Sequence, residues 1–202
     1  MNVAQEIAHL RDLMPASGRM VVKVIAKADR PVTIEAPFPY PWDRSRKVYL
    51  NIHYWRQLSR AERDLLLLRT VSWVTGIRWF KLDLYRGAAI AGTIATLAET
   101  IQGDALGIVA AGTLTAFAAR QVWRRNQSSD QEISADEAAV SLAQRRGYGA
   151  ETAALSLIQA IEHAAELEGR TSLEFTEVIR CQNLRAIARV SSEPSVTPPT
   201  MM

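Results

Sequence analysis

The amino-acid sequence predicts a mostly helical α+β fold: a small N-terminal sheet, a buried central helix, an apolar helical hairpin and three C-terminal helices. Three observations predict it. Three extended stretches, the first rich in Val and Ile, lie within the first 54 residues, a leucine run of helical length follows Ser59, and helix-start and glycine-stop signals alternate after position 130. The 202 residues suit one domain, and a 48% hydrophobic content supplies a core of ordinary size. That domain is expected over residues 1–189, with the hairpin inserted at 84–124 and a disordered tail at 190–202.

Val3, Ile7, Leu10 and Met14 fall four, three and four residues apart, one face of a short helix stopped by Pro15. Met20–Ala26, Val32–Ala36 and Lys47–Tyr54 then read as strands. In the third, Val48, Leu50, Ile52 and Tyr54 alternate with Tyr49, Asn51 and His53. The pattern leaves the strand order open. Three prolines between Ala36 and Arg46 forbid a helix and make a stiff connection.

Ser59 and Glu62 form a capping box at the start of the central helix, because the hydroxyl can accept from the amide three residues on while the carboxylate reaches back. This helix is expected to end at Gly76 in a left-handed cap. Ser134 with Glu137, and Thr171 with Glu174, repeat the signature, and Gly147 and Gly169 stop the helices between them.

Residues 87–98 and 105–119 carry no charge. Each is shorter than the ~20 residues a helix needs to cross a hydrocarbon core. Charge placement favours the membrane nonetheless. Glu99 and Asp104 lie at the tip, and Arg78, Lys81, Arg86, Arg120, Arg124 and Arg125 gather at the base with Trp79, Phe80, Tyr85 and Trp123. Trp79, Arg86, Arg120, Trp123, Arg124 and Arg125 are thus the expected membrane-interface residues, with anionic lipid headgroups as possible contacts and both termini cytoplasmic. Small residues spaced four apart, Gly103, Gly107, Ala111, Thr115 and Ala119, allow close helix packing in lipid. They serve a soluble Ala-rich pair equally well.

The formal net charge is only +3, and the basic clusters at 44–47, 124–125 and 145–146 have few interleaved aromatics, so nucleic acid is a disfavoured partner. A single cysteine, Cys181, excludes an intrachain disulfide. It shares an apolar stripe with Val178 and Leu184 and lacks an adjacent base. His9, His53 and His163 are scattered among different elements, and no G-x-S-x-G, phosphate-binding loop or dinucleotide fingerprint occurs. The N-terminal twenty residues lack the basic-then-apolar layout of a secretory signal, and no lipidation motif is visible.

The order of strand, Ser-capped helix, apolar hairpin and acidic helix start resembles the integral-membrane zinc metalloproteases of the heat-shock HtpX and prenyl-protease type. In that family an apolar helix carries H-E-x-x-H seven residues after a glutamate, and E-x-x-x-D later supplies the third zinc ligand. Here Glu62 is followed seven residues on by Arg69, so Arg69–Trp73 stands in the place of the motif, and Glu132–Asp136 in that of the third ligand. The resemblance spans about residues 45–165 and implies a shared fold with lost chemistry. Arg69 has no lone pair for a cation, Thr70 cannot take a proton from water at neutral pH, and Trp73 is no ligand. Glu132 alone does not hold zinc. Either Arg69 pairs with Glu132 or Asp136 in place of the metal, or all three are solvated. The whole chain, especially the segment from Leu58 to Lys81, also looks like an uncharacterised family of cyanobacterial proteins.

The expected function is therefore a non-catalytic, membrane-associated, pseudoprotease-like scaffold for another membrane protein, with no cofactor. The alternative is a soluble helical interaction module that packs its Ala/Gly hairpin on a partner subunit.

Overall fold

Residues 2–40, 43–77 and 129–192 are described by the structure, a computed structural model. Helix α1 (Val3–Leu13) begins where the Asn2 side chain accepts from the Ala4 amide at 3.0 Å, and sends Leu10 and Leu13 inward. Pro15 ends it, as expected, but also opens a second helix, α2 (Ala16–Val21), closed by Arg19 N–H donating to the Pro15 carbonyl at 3.0 Å. The first strand, β1 (Val22–Lys27), consequently starts two residues later than its Val/Ile content suggests.

With β2 (Ile34–Glu35) and β3 (Arg46–Asn51) it forms a three-stranded sheet in the order β1-β3-β2. β1 runs parallel to β3 with Val24 opposite Val48, and β2 runs antiparallel with Ile34 opposite Leu50. The alternation read through to Tyr54 stops at Asn51. The Asn51 side chain accepts from the His53 amide at 2.9 Å and so caps a helical turn, α3 (Ile52–Trp55). Local side-chain bonding of this kind competes with the strand ladder.

Helix α4 (Arg60–Gly76) opens with the expected capping box: Ser59 N–H donates to Glu62 Oε2 at 2.6 Å and Glu62 N–H to Ser59 Oγ at 3.3 Å. Leu65 to Leu68, Val71 and Val74 are buried, making α4 the core of the fold. Gly76 is its last helical residue rather than a left-handed cap.

The three C-terminal helices are α5 (Ser129–Gln144), α6 (Ala150–Leu167) and α7 (Phe175–Ser192). Gly147 and Gly169 have φ of 93° and 73°. After each, an amide bonds back five residues, Tyr148 to Ala143 and Arg170 to Ala165, the double-bonded end that a left-handed residue permits. The other two capping boxes are corrected. Ser134 lies inside α5, and the third box shifts by three residues, with Glu174 N–H donating to Glu177 Oε2 at 2.9 Å. α7 runs past residue 189, and the tail beyond 192 lies outside the described residues. α6 packs on α4 and α7, while α1 and α2 cover another side of α4. Gly18 lies so close to α4 that a Cβ there would stand 2.7 Å from Val71.

The chain divides into two compact units, Met1–Gly76 with Glu132–Met202, and Ile77–Gln131. The hairpin at 84–124 and the membrane-interface residues Trp79, Arg86, Arg120, Trp123, Arg124 and Arg125 lie outside the described residues. The expectation of a transmembrane protein with cytoplasmic termini is corrected: among the described residues no helix is long and apolar enough to cross a membrane. The reason is visible in each long helix. α4 carries Arg60, Glu62, Arg63, Asp64 and Arg69, and α6 carries Glu151, Glu162 and Glu166, charges that a hydrocarbon core does not accept along a single span.

Candidate functional site

Arg69, Glu132 and Asp136, singled out in the sequence, come together as a network of charges. α4 is buried nearly all round, so Arg69 has little access to water; its side chain is 16% exposed. α5 presents Glu132 and Asp136 one turn apart on one face. Arg69 Nη2 pairs with Glu132 Oε2, and Arg69 Nε lies 3.5 Å from Asp136 Oδ1. Of the two arrangements open from sequence, the paired one is present, with both carboxylates. At 3.5 Å the Nε contact is an ion pair without a directed hydrogen bond, and Nε makes no other.

The partner that sequence reasoning missed is Arg180. It donates from Nε and Nη2 to the two oxygens of Asp136 at 2.8 and 2.9 Å, a bidentate pair around a carboxylate with no solvent exposure. Its signal was readable in outline: Arg180 lies on the face of α7 that carries Cys181, Leu184 and Ala188 inward, where a charge needs a partner. Val178, assigned to that stripe from sequence, is exposed instead. Burial, and then the Arg180 charge, pull the Arg69 guanidinium down to about 9, while Asp136 holds it up. Arg69 is thus a cation at neutral pH.

The other two positions are occupied differently. Thr70 Oγ donates to the Leu66 carbonyl of its own helix at 2.8 Å. The Trp73 ring meets Phe38 edge-on, with centroids 6.1 Å apart, and its buried Nε1 makes no hydrogen bond among the described residues. The three histidines stay apart: His9 Nε2 is 2.9 Å from Asp64 Oδ1, His163 Nδ1 is 2.5 Å from Glu62 Oε1, and His53 lies in the short helix α3. Among the described residues no three His, Cys, Asp or Glu side chains are grouped to hold a metal ion.

Arg69 and Arg180 also line one end of a groove of about 390 Å³. Val32 and Ile34 line it too, as do Leu66, Ile161 and Ala164, and Glu174 and Glu177. Glu168 fastens the turn between α6 and α7 to the sheet, accepting from the Thr33 amide at 2.7 Å. Arg170 lies fork-on-fork against Glu177 at 2.7 and 2.9 Å and reaches Glu168 at 3.1 Å. Burial raises the Glu177 carboxyl, but the hydrogen bonds from Arg170 and the Glu174 amide outweigh it and leave it below the ordinary value.

A second pocket, of about 470 Å³, is built on Asp64. This buried carboxylate takes His9 on one oxygen and the Tyr148 hydroxyl on the other at 2.7 Å, tying α1, α4 and the turn after α5 together. Asp64 shares the face of α4 that carries Leu67, Leu68 and Val71, which is the signal that could have revealed it.

A family model described as "Protein of unknown function (DUF3318)" matches residues 8–148, from α1 to the turn after α5. That span includes Arg69, Glu132, Asp136 and Tyr148 and stops short of Arg180. No curated protein and no solved structure matches the chain.

Proposed function

We propose a non-catalytic role from a plain premise: the chain belongs to DUF3318, a family of proteins of unknown function. In this reading it is a helical interaction module that binds another protein. The observation that carries the reading is the position of Arg69. The helix that would offer a nucleophile, a base or a metal ligand offers a guanidinium held between Glu132 and Asp136, and Asp136 is itself clamped by Arg180. The charged members face one another, which supports a structural rather than a catalytic use of these residues.

The likeness to the membrane zinc metalloproteases supports the reading through the order and spacing of residues alone. In this reading the groove serves as a surface for a partner. The Ala/Gly-rich stretch at 84–124 is a second candidate for packing on a partner subunit, assigned from its sequence.

The test is capture of crosslinked partners from the native source, comparing the wild-type chain with an Ala36→Trp variant that fills the groove and is shown to be folded. A defined protein retained by the first and lost by the second supports the reading. Hydrolysis of a peptide by the purified chain, abolished by Glu132→Gln, overturns it.

A further inference from the structure

We infer that the groove between β2 and α7 takes an extended peptide bearing basic side chains, a partner chemistry that deepens the interaction-module reading and rests on it. The first ground is the sheet edge. In the order β1-β3-β2, β2 has a strand neighbour on one side only among the described residues. The Thr33 carbonyl accepts from the Asn51 amide at 3.0 Å and so faces β3. Ile34, opposite Leu50, is then a non-hydrogen-bonded position, and its N–H and C=O point away from β3. Ile34 also lines the groove, and its outward backbone groups are those a further strand would pair with.

The second ground is charge. Arg69 is paired with Glu132 and Asp136, and Arg180 with Asp136. Arg30 stands on Glu35 at 3.0 Å, and Arg170 is taken by both oxygens of Glu177. Glu168 shares Arg170 with Glu177, so against these four guanidinium groups two carboxylates remain in excess, one of them the exposed Glu174. Glu174 is exposed at the start of α7. Acidic peptides are therefore repelled and basic ones attracted, beside the apolar residues Leu66, Ile161 and Ala164 that also line the groove.

The experiment uses the full chain and two fluorescein-labelled probes, Val-Arg-Val-Lys-Val and Val-Glu-Val-Glu-Val, followed by fluorescence anisotropy. The basic probe is expected to bind at least about tenfold more tightly, weakening with added salt. The double variant Glu168→Gln with Glu174→Gln removes most of that preference, while the new side-chain amide at position 168 keeps an oxygen for the Thr33 N–H. Binding also slows hydrogen exchange at the Ile34 amide, which ion pairing on the surface alone would not do. Should the double variant fail to fold, Glu174→Lys at the exposed position answers the same question by reversing the preference. Equal affinity for both probes, no binding of either, or indifference to these substitutions overturns the inference. Loss of a captured partner by Ala36→Trp, together with no preference for the basic probe, leaves the interaction reading standing and removes this one.

Discussion

Asp136 and Arg180 meet through two hydrogen bonds, 2.8 and 2.9 Å long, at a carboxylate with no exposure to solvent, and they join two helices across 44 residues of sequence. Arg69 approaches the same carboxylate less closely, at 3.5 Å, and shares itself with Glu132, whose side chain is 24% exposed. The two arginines therefore differ in consequence. Arg180→Met leaves the Asp136 charge without its bidentate partner and is expected to cost about 3–5 kcal/mol. Arg69→Met leaves that pair intact, lets Glu132 return to water and removes a guanidinium that burial disfavours, so the expected loss is about 1 kcal/mol or less. Urea midpoints at constant m would check the order, and a larger loss for Arg69→Met would reverse the assignment.

Tyr148 gives the protein a dependence on alkaline pH. Burial first, and then its hydrogen bond to Asp64, push the phenol up to about 12 from an ordinary 10. The folded state thus holds this proton more tightly than the unfolded chain does. The stability it contributes is complete below pH 10 and is lost as pH rises through about 12. Between these values wild type should lose stability more steeply than Tyr148→Phe, which has no proton to release. Parallel curves for the two proteins would show that the Asp64 contact does not persist in solution.

How far the sequence carried these features depends on how local their causes are. The Ser59–Glu62 box was legible because both partners lie within one turn. The same signature at Ser134 has no terminus to cap, since α5 is already under way there, and at Thr171 it yields to Glu174 and Glu177, where Arg170 fixes the carboxylate. The Arg69 contacts could be anticipated because Glu132 and Asp136 share a helix face. Arg180 could not be paired with Asp136 from spacing, since nothing short of the packing of α5 against α7 brings them together. The strand-to-helix change at Asn51 turned on one side-chain hydrogen bond, which periodicity does not register.

Gly18 and Gly169 should both resist substitution, for different reasons. An alanine at Gly18 places its Cβ 2.7 Å from Val71 Cγ1, so α2 or α4 must shift; overpacking of this kind costs about 1–3 kcal/mol. Trimming the neighbour in Gly18→Ala with Val71→Ala should recover part of the loss. At Gly169 no atom lies within 4 Å of an added Cβ, and the cost comes from φ of 73° alone, about 1–2 kcal/mol. Gly169→Asn should therefore be milder than Gly169→Ala. Thermal melts of the four proteins distinguish the mechanisms, and rescue of Gly169→Ala by any change in packing would contradict the second.

Cys181 reports on the packing of α7. Its side chain is 1% exposed, and burial, with Glu162 adding to it, pushes the thiol above its ordinary value, so little thiolate forms at neutral pH. Both conditions for attack on a disulfide reagent are absent in the folded chain. The reaction of Cys181 with 5,5′-dithiobis-(2-nitrobenzoate) should then follow opening of α7, slow in water and rising with urea in step with unfolding. Arg180→Met loosens the same helix through Asp136 and should speed the reaction by the factor that its lost stability predicts, if α7 opens only when the whole domain unfolds. A faster reaction than that would mean α7 detaches on its own, leaving the core on α4 and α6 in place. Rapid modification of the wild-type chain in the absence of denaturant would instead place Cys181 at the surface and contradict the packing of α7 on α6.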